Sequence, residues 1–133
     1  MVRRLILDTS VLIAYERRAF DLKQFDDDDL AIAALCVAEF RTGIELAPTS
    51  ERARASARTL DTILQVIPVL DYTAQTATCH ARLRAHTRHT GRPRGPHDLI
   101  IAAHGVQTGY TIASFDAKAR FGDLPGVTAL DLG

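Results

Sequence analysis

Near the start of the chain the apolar run Leu5-Ile6-Leu7 stops at Asp8, and Val11-Leu12-Ile13-Ala14 takes the pattern up again almost at once. A short unbroken apolar run suits a strand buried on both faces, as in a parallel sheet covered by helices. Asp8-Thr9-Ser10 then supplies side chains that cap a following helix. Strand, acid and helix in direct succession point to an α/β architecture and leave one carboxylate at a strand's C-terminal end. Ligands of open α/β sheets bind in the crevice outside those ends, so Asp8 is the first candidate functional residue.

The rest of the chain repeats the alternation. Glu16 to Phe25 mixes charges with Phe20, Leu22 and Phe25 and predicts a short helix laid over the core. Asp26 to Asp29 is an acidic run, ordinarily a solvated loop. Leu30 to Ala33 predicts a second strand, continuing into a helix over Leu35 to Ala47 that Pro48 terminates. Thr49 caps a helix reaching Gln65, with Ala53, Ala57, Leu60 and Leu64 on one face. Pro68 makes the extended segment Val66 to Leu70 an edge strand. A helix from Thr73, with Ala77, Ala81 and Ala85 aligned, ends near Thr90-Gly91. Gly91 to Pro96 is a Gly/Pro/Arg loop and the best candidate for a mobile segment, and Pro96 suits the first position of a helix closed by Gly109. Tyr110 to Ala113 and Val127 to Leu130 predict two further strands. Short strands between helices imply right-handed crossovers and a mostly parallel sheet. No repeat or internal boundary divides the 133 residues, and one domain over 1–133 is expected.

Charge excludes little in sum and more in distribution. The chain carries 16 basic and 16 acidic residues. Between Asp71 and Asp98 there is no acid, whereas Arg82, Arg84, Arg88, Arg92 and Arg94 all fall there, a local basic surface on a neutral protein. Cys36 and Cys79 lie in apolar or helical surroundings and read as reduced thiols of a cytoplasmic protein. Asp8 breaks the apolar run that would otherwise mimic a signal peptide, and no run reaches the ~18 apolar residues of a membrane helix.

Four acids stand in apolar settings. Asp8 ends the first strand, Glu39 lies within Cys36-Val37-Ala38-Glu39-Phe40, Asp98 opens Leu99-Ile100-Ile101-Ala102-Ala103, and Asp116 follows the strand ending in Ala113. Each has an ordinary explanation: a helix cap for Asp8, a solvated helix face for Glu39, a favoured first turn for Asp98, a turn for Asp116. As a set they would repel one another unless they share protons or bind a cation. Magnesium or manganese, held by a few carboxylates beside substrate phosphates, meets that need and implies phosphodiester hydrolysis.

The order of motifs resembles the PIN domain family. It is carried by Leu7-Asp8-Thr9-Ser10-Val11-Leu12-Ile13, Val37-Ala38-Glu39-Phe40-Arg41-Thr42-Gly43-Ile44, His97-Asp98-Leu99-Ile100-Ile101-Ala102-Ala103 and Ser114-Phe115-Asp116 with Phe121 and Leu124-Pro125-Gly126-Val127. Within that family the chain is most similar to the VapC-like toxins of bacterial toxin–antitoxin pairs. The resemblance implies an α/β fold, a three-layer sandwich with a mostly parallel central sheet of some five short strands flanked by helices. It implies a Mg2+- or Mn2+-dependent endoribonuclease that cuts structured RNA, such as transfer or ribosomal RNA, in exposed loops. Asp8, Glu39, Asp98 and Asp116 would be the acidic, metal-holding cluster, and Ser114 matches a position near the metal-bound water. Cys36 falls where many relatives carry threonine or serine. Family members usually form homodimers and are held inactive by a cognate antitoxin. The run Arg82 to Arg94 fits an RNA backbone, and its lack of interleaved aromatics argues against base stacking.

Rival chemistries leave weaker marks. The five histidines, all between His80 and His104, lack a recognised zinc-ligand spacing, though two of them could act as general base and acid without metal. A phosphate-accepting receiver would want paired acids after the first strand, and a haloacid-type phosphatase a second aspartate where Ser10 stands. A non-catalytic binding module with a PIN-like fold is the remaining alternative.

Overall fold

Five short strands, β1 (Arg4–Leu7), β2 (Asp29–Ala33), β3 (Val69–Leu70), β4 (Thr111–Ser114) and β5 (Ala129–Asp131), form one sheet in the order β3-β2-β1-β4-β5 in a computed structural model that describes residues 2–133. Every pairing is parallel, with Leu5 opposite both Leu30 and Thr111. Parallel neighbours need crossovers, and five α-helices accompany the strands: α1 (Thr9–Glu16), α2 (Ala34–Glu45), α3 (Ser50–Val66), α4 (Ala74–Thr90) and α5 (Pro96–Thr108). The first strand sits at the centre, which is why its apolar run is unbroken: Leu5, Ile6 and Leu7 are at most 1% exposed. The expected edge strand at Pro68 is found as β3, reduced to two residues.

Local chemistry sets the boundaries. Thr49 caps α3 by accepting from Arg52 N–H, and Thr73 and Thr76 cap α4 reciprocally. Gly91 and Gly109 end α4 and α5 in left-handed backbone, φ 65° and 76°. Gly105 is required for another reason: a Cβ there would lie 2.9 Å from Ile112 Cδ1, so its bare backbone lets α5 approach β4 closely. Among the described residues no helix is long and apolar enough to cross a membrane.

Some elements differ from expectation. The helix predicted over Glu16 to Phe25 is broken: α1 stops at Glu16, Arg18 takes left-handed backbone (φ 58°), and only a 3-10 turn, Leu22–Phe25, remains. Packing of Phe20 on Phe25 and Phe115 replaces helical periodicity there. In α4 the aligned Ala81 and Ala85 are exposed, while Thr76, Leu83 and Thr87 face the core. Thr76 tolerates full burial because its hydroxyl donates to Gln107 of α5.

Candidate active site

The C-terminal ends of β1 and β4 place Asp8 and Asp116 on the same edge of the sheet. Asp8 N–H donates to Ala113 carbonyl, extending the ladder by one rung, and the side chain is nearly buried (6% exposed). Its Oδ1 accepts from Thr9 N–H at 2.7 Å, capping α1. Its Oδ2 accepts from the hydroxyls of Ser114 (2.7 Å) and Ser10 (3.0 Å). Those two hydroxyls in turn accept from Asp116 N–H and Phe115 N–H. The strand end that carries Asp8 is thus stitched to the turn that carries Asp116, and the capping and site readings of Asp8 hold together.

Glu39 projects from α2 into the same region. Thr9 Oγ1 donates to its Oε1 at 2.8 Å, and His97 Nδ1 lies 3.3 Å from its Oε2. Asp98, in the first turn of α5, leans back over Gly95, where a Cβ would sit 3.0 Å from its Oδ2. Asp116 is exposed and caps a 3-10 turn, Ala117–Ala119, by accepting from Lys118 N–H.

Electrostatics ties the four together. Burial pushes the Asp98 carboxyl above its ordinary value, and the charges of Asp8, Asp116 and Glu39 push it further, against the opposing pull of His97. Burial likewise raises Asp8; hydrogen bonds from Ser114, Ser10 and Thr9 oppose the shift and the charge of Glu39 adds to it. Burial holds the Cys36 thiol at about 12, so beneath these acids it is an inert packing group.

Thr9, Ser10 and His97 were not singled out in the sequence. Hydroxyls after a strand-ending aspartate look like caps; the second task of Thr9 depends on Glu39, 30 residues on, and that of Ser10 on a loop 104 or more residues away in sequence. The adjacency of His97 to Asp98 was the only signal for it.

Of the five arginines, Arg82, Arg84, Arg88 and Arg92 are exposed. Arg94 is a correction to the RNA-facing set. Its side chain is 7% exposed and donates to the carbonyls of Ala119 and Arg120, so the expected mobile loop is tethered and this cation is turned inward. Larger grooves lie away from the acids: one of about 480 Å3 between α4 and α5 is lined by Arg84, Arg88 and Leu99, and one of about 580 Å3 by Asp21, Phe25 and Pro68. A smaller hollow of about 140 Å3 beside Ser114 and Asp116 adjoins the acid edge.

Whether these residues suit a divalent ion is a question of donors. Those facing the edge are carboxylates and hydroxyls, the oxygen set of a hard cation, and Asp98 is raised first by burial and then by the charges of Asp8, Asp116 and Glu39. Among the described residues no three His, Cys, Asp or Glu side chains are close enough to hold one ion between them. An ion that takes one or two carboxylates directly and reaches others through water, the usual habit of magnesium, would suit this oxygen set.

The PIN domain family matches residues 5–125, which include all four acids. The chain belongs to the PIN domain family. PIN-domain ribonucleases generally use divalent metals. The chain is 31% identical over 122 residues to a tRNA(fMet)-specific endonuclease VapC of Shigella flexneri, covering 86% of this chain and 88% of that protein. It is 30% identical over 133 residues to ribonuclease VapC5 of Mycobacterium tuberculosis, covering 96% and 92%. Among solved structures, VapBC-5 of M. tuberculosis, a member of the VapBC family of toxin–antitoxin systems, superposes with a TM-score of 0.78 at 27% identity, over 97% of this chain and 98% of that one. VapBC2 of Rickettsia felis, bound to a promoter DNA fragment, superposes with a TM-score of 0.86 at 20% identity, over 98% and 99%.

Proposed function

We propose that this PIN domain is an endoribonuclease, the toxin of a toxin–antitoxin pair, that depends on Mg2+ or Mn2+ and hydrolyses phosphodiester bonds in exposed loops of structured RNA. The observation that supports the reading is the Asp98 carboxyl, which is raised by burial and further by the charges of Asp8, Asp116 and Glu39. Relatives named as a tRNA endonuclease and a ribonuclease support the substrate class, and a solved neighbour from a toxin–antitoxin system supports a cognate antitoxin as partner; a homodimer follows from the family resemblance alone. A cytoplasmic site of action agrees with two free cysteines.

Asp8 and Asp98 would hold the ion, with Glu39 and Asp116 reaching it through water. A bound divalent ion lowers the pKa of an attacking water and offsets charge on the phosphate and the leaving oxygen. The protein's own groups do the rest. Three hydrogen bonds fix both Asp8 oxygens, so this carboxylate cannot swing away. Thr9 holds one Glu39 oxygen and leaves the other to His97 at the solvent face, where it can take a proton from water. Ser114 links Asp8 to the Asp116 turn and keeps the two segments in register. Arg82, Arg84, Arg88 and Arg92 attract the RNA backbone without reading sequence.

Cleavage of total RNA with mapping of new 5′ ends tests the reaction. Water attack leaves 5′-phosphate and 3′-hydroxyl ends. Cyclic phosphate ends, formed with EDTA present, would instead assign the chemistry to the histidines.

A further inference from the structure

Arg94 is buried in a way that a surface cation is not. It lies on the link between α4 and α5, with Pro93 before it and Gly95-Pro96 after it, so the first turn of α5 begins two residues on. Its Nη1 donates to Ala119 carbonyl at 3.0 Å and to Arg120 carbonyl at 2.8 Å. Nη2 stands 4.0 Å from Asp123 Oδ2, and Nε is buried with no partner. An unpaired buried N–H costs stability, so the placement is poorly explained by stability alone.

The two carbonyls explain it better. They end the 3-10 turn Ala117–Ala119 that Asp116 caps, and Arg120 is held there in left-handed backbone at φ 47°, a conformation unfavourable to a side chain. On its other side, Arg94 precedes Asp98 by one helical turn, across a proline that stiffens the connection. One guanidinium nitrogen, Nη1, thus ties the segment carrying Asp98 to the segment carrying Asp116. Among the described residues no sheet hydrogen bond joins those two segments.

We infer that Arg94 is a positioning residue, a clamp that fixes the separation of Asp98 from Asp116 and so tunes the affinity of the acidic edge for a divalent ion. The inference rests on the acidic edge being an ion site. Arg94 acts through the backbone of the Asp116 turn, to which its Nη1 is bonded. Groups that orient metal-holding side chains typically contribute 10–100-fold to metal affinity, which sets the size of the effect.

The test is Mn2+ binding by calorimetry and thermal shift, with RNA cleavage as a second readout, on the parent, Arg94→Met and Arg94→Lys. Lysine keeps the charge, and its ammonium can also donate to two carbonyls from one nitrogen. Arg94→Met should bind Mn2+ about tenfold more weakly or worse, and Arg94→Lys should recover part of that loss. Arg120→Gly, which relieves the left-handed strain, should return part of the affinity to Arg94→Met. An Arg94→Met protein that melts earlier yet binds Mn2+ like the parent would overturn the inference and leave Arg94 a purely structural residue. If neither Arg94 variant folds, exchange of the Arg94 guanidinium protons in the parent decides by reciprocity: it should slow when Mg2+ is added, and unchanged exchange would overturn the clamp. A parent that neither binds Mn2+ nor cuts RNA would sink the ion site itself, a distinct result.

Discussion

Two groups of four carboxylates stand on this molecule with opposite characters. Asp26 to Asp29 are consecutive in sequence, whereas Asp8, Glu39, Asp98 and Asp116 are spread over more than a hundred residues. In the consecutive group the side chains separate: Asp29 opens β2, and Asp28 pairs with Arg3, whose guanidinium holds its carboxyl below the ordinary value. In the dispersed group they converge, and the carboxyls of Asp8 and Asp98 are raised. Density of charge along the chain is therefore a poor guide to a site. What distinguishes one is burial together with a shortage of opposite charge, and such a place awaits a cation.

The largest expected contrast is catalytic. Asp98→Asn or Asp8→Asn should lower Mg2+-supported RNA cleavage on the order of 10³-fold, about 4 kcal/mol of transition-state stabilisation. Asp27→Asn should stay within about twofold of the parent, the usual scale of surface substitutions. Parent-level cutting by Asp98→Asn would erase the distinction between the groups.

Metal comes next. Saturating Mn2+ at about a hundred times its dissociation constant should raise the parent Tm by about 10 °C, and EDTA should reverse the rise. Replacing Asp26, Asp27, Asp28 and Asp29 together by Asn should leave that increment in place. An increment that vanished with them would move the ion to the other group.

Without metal the order of stability inverts. Removing a repelled charge should make Asp98→Asn more stable than the parent by roughly 3 °C at neutral pH, whereas Asp28→Asn should be slightly less stable through loss of its partner. The sign with pH follows from the raised value. A carboxyl raised above its unfolded value of 3.8 disfavours the fold only while ionised. The parent therefore loses stability as pH rises through the folded value, and the advantage of Asp98→Asn should fade on acidification and be gone below about pH 4. Thermal melts from pH 3 to pH 7 would show it, and a constant difference would argue against the repulsion.

The smallest effect concerns the basic surface. Changing Arg82, Arg84 and Arg88 to Gln should reduce the slope of log affinity against log salt by about 2. Arg94→Gln should leave that slope unchanged, because its guanidinium faces the protein. Equal effects would place Arg94 on the RNA side after all.

Much of this architecture was legible because it depends on short-range patterns. The run Leu5-Ile6-Leu7, the caps at Thr49 and Thr73 and the glycines at 91 and 109 state their roles within a few residues. What was hidden depends on distant partners. The burial of Thr76 makes sense only through Gln107, and the second task of Ser10 only through Phe115. Arg94 belongs by composition to the row of exposed arginines and is withdrawn from it by two carbonyls 25 and 26 positions later. The helix expected over Glu16 to Phe25 fails because three phenylalanines find one another across the fold, a preference no local period records.

The central place of β1 has a consequence for synthesis. The strand made first can pair early with β2, but its other side waits for β4, whose Thr111 stands opposite Leu5. Long-range parallel pairing of this kind is slow to form. A growing polypeptide can thus carry Asp8 out of the ribosome early and still lack any competent edge until Asp116 has followed it.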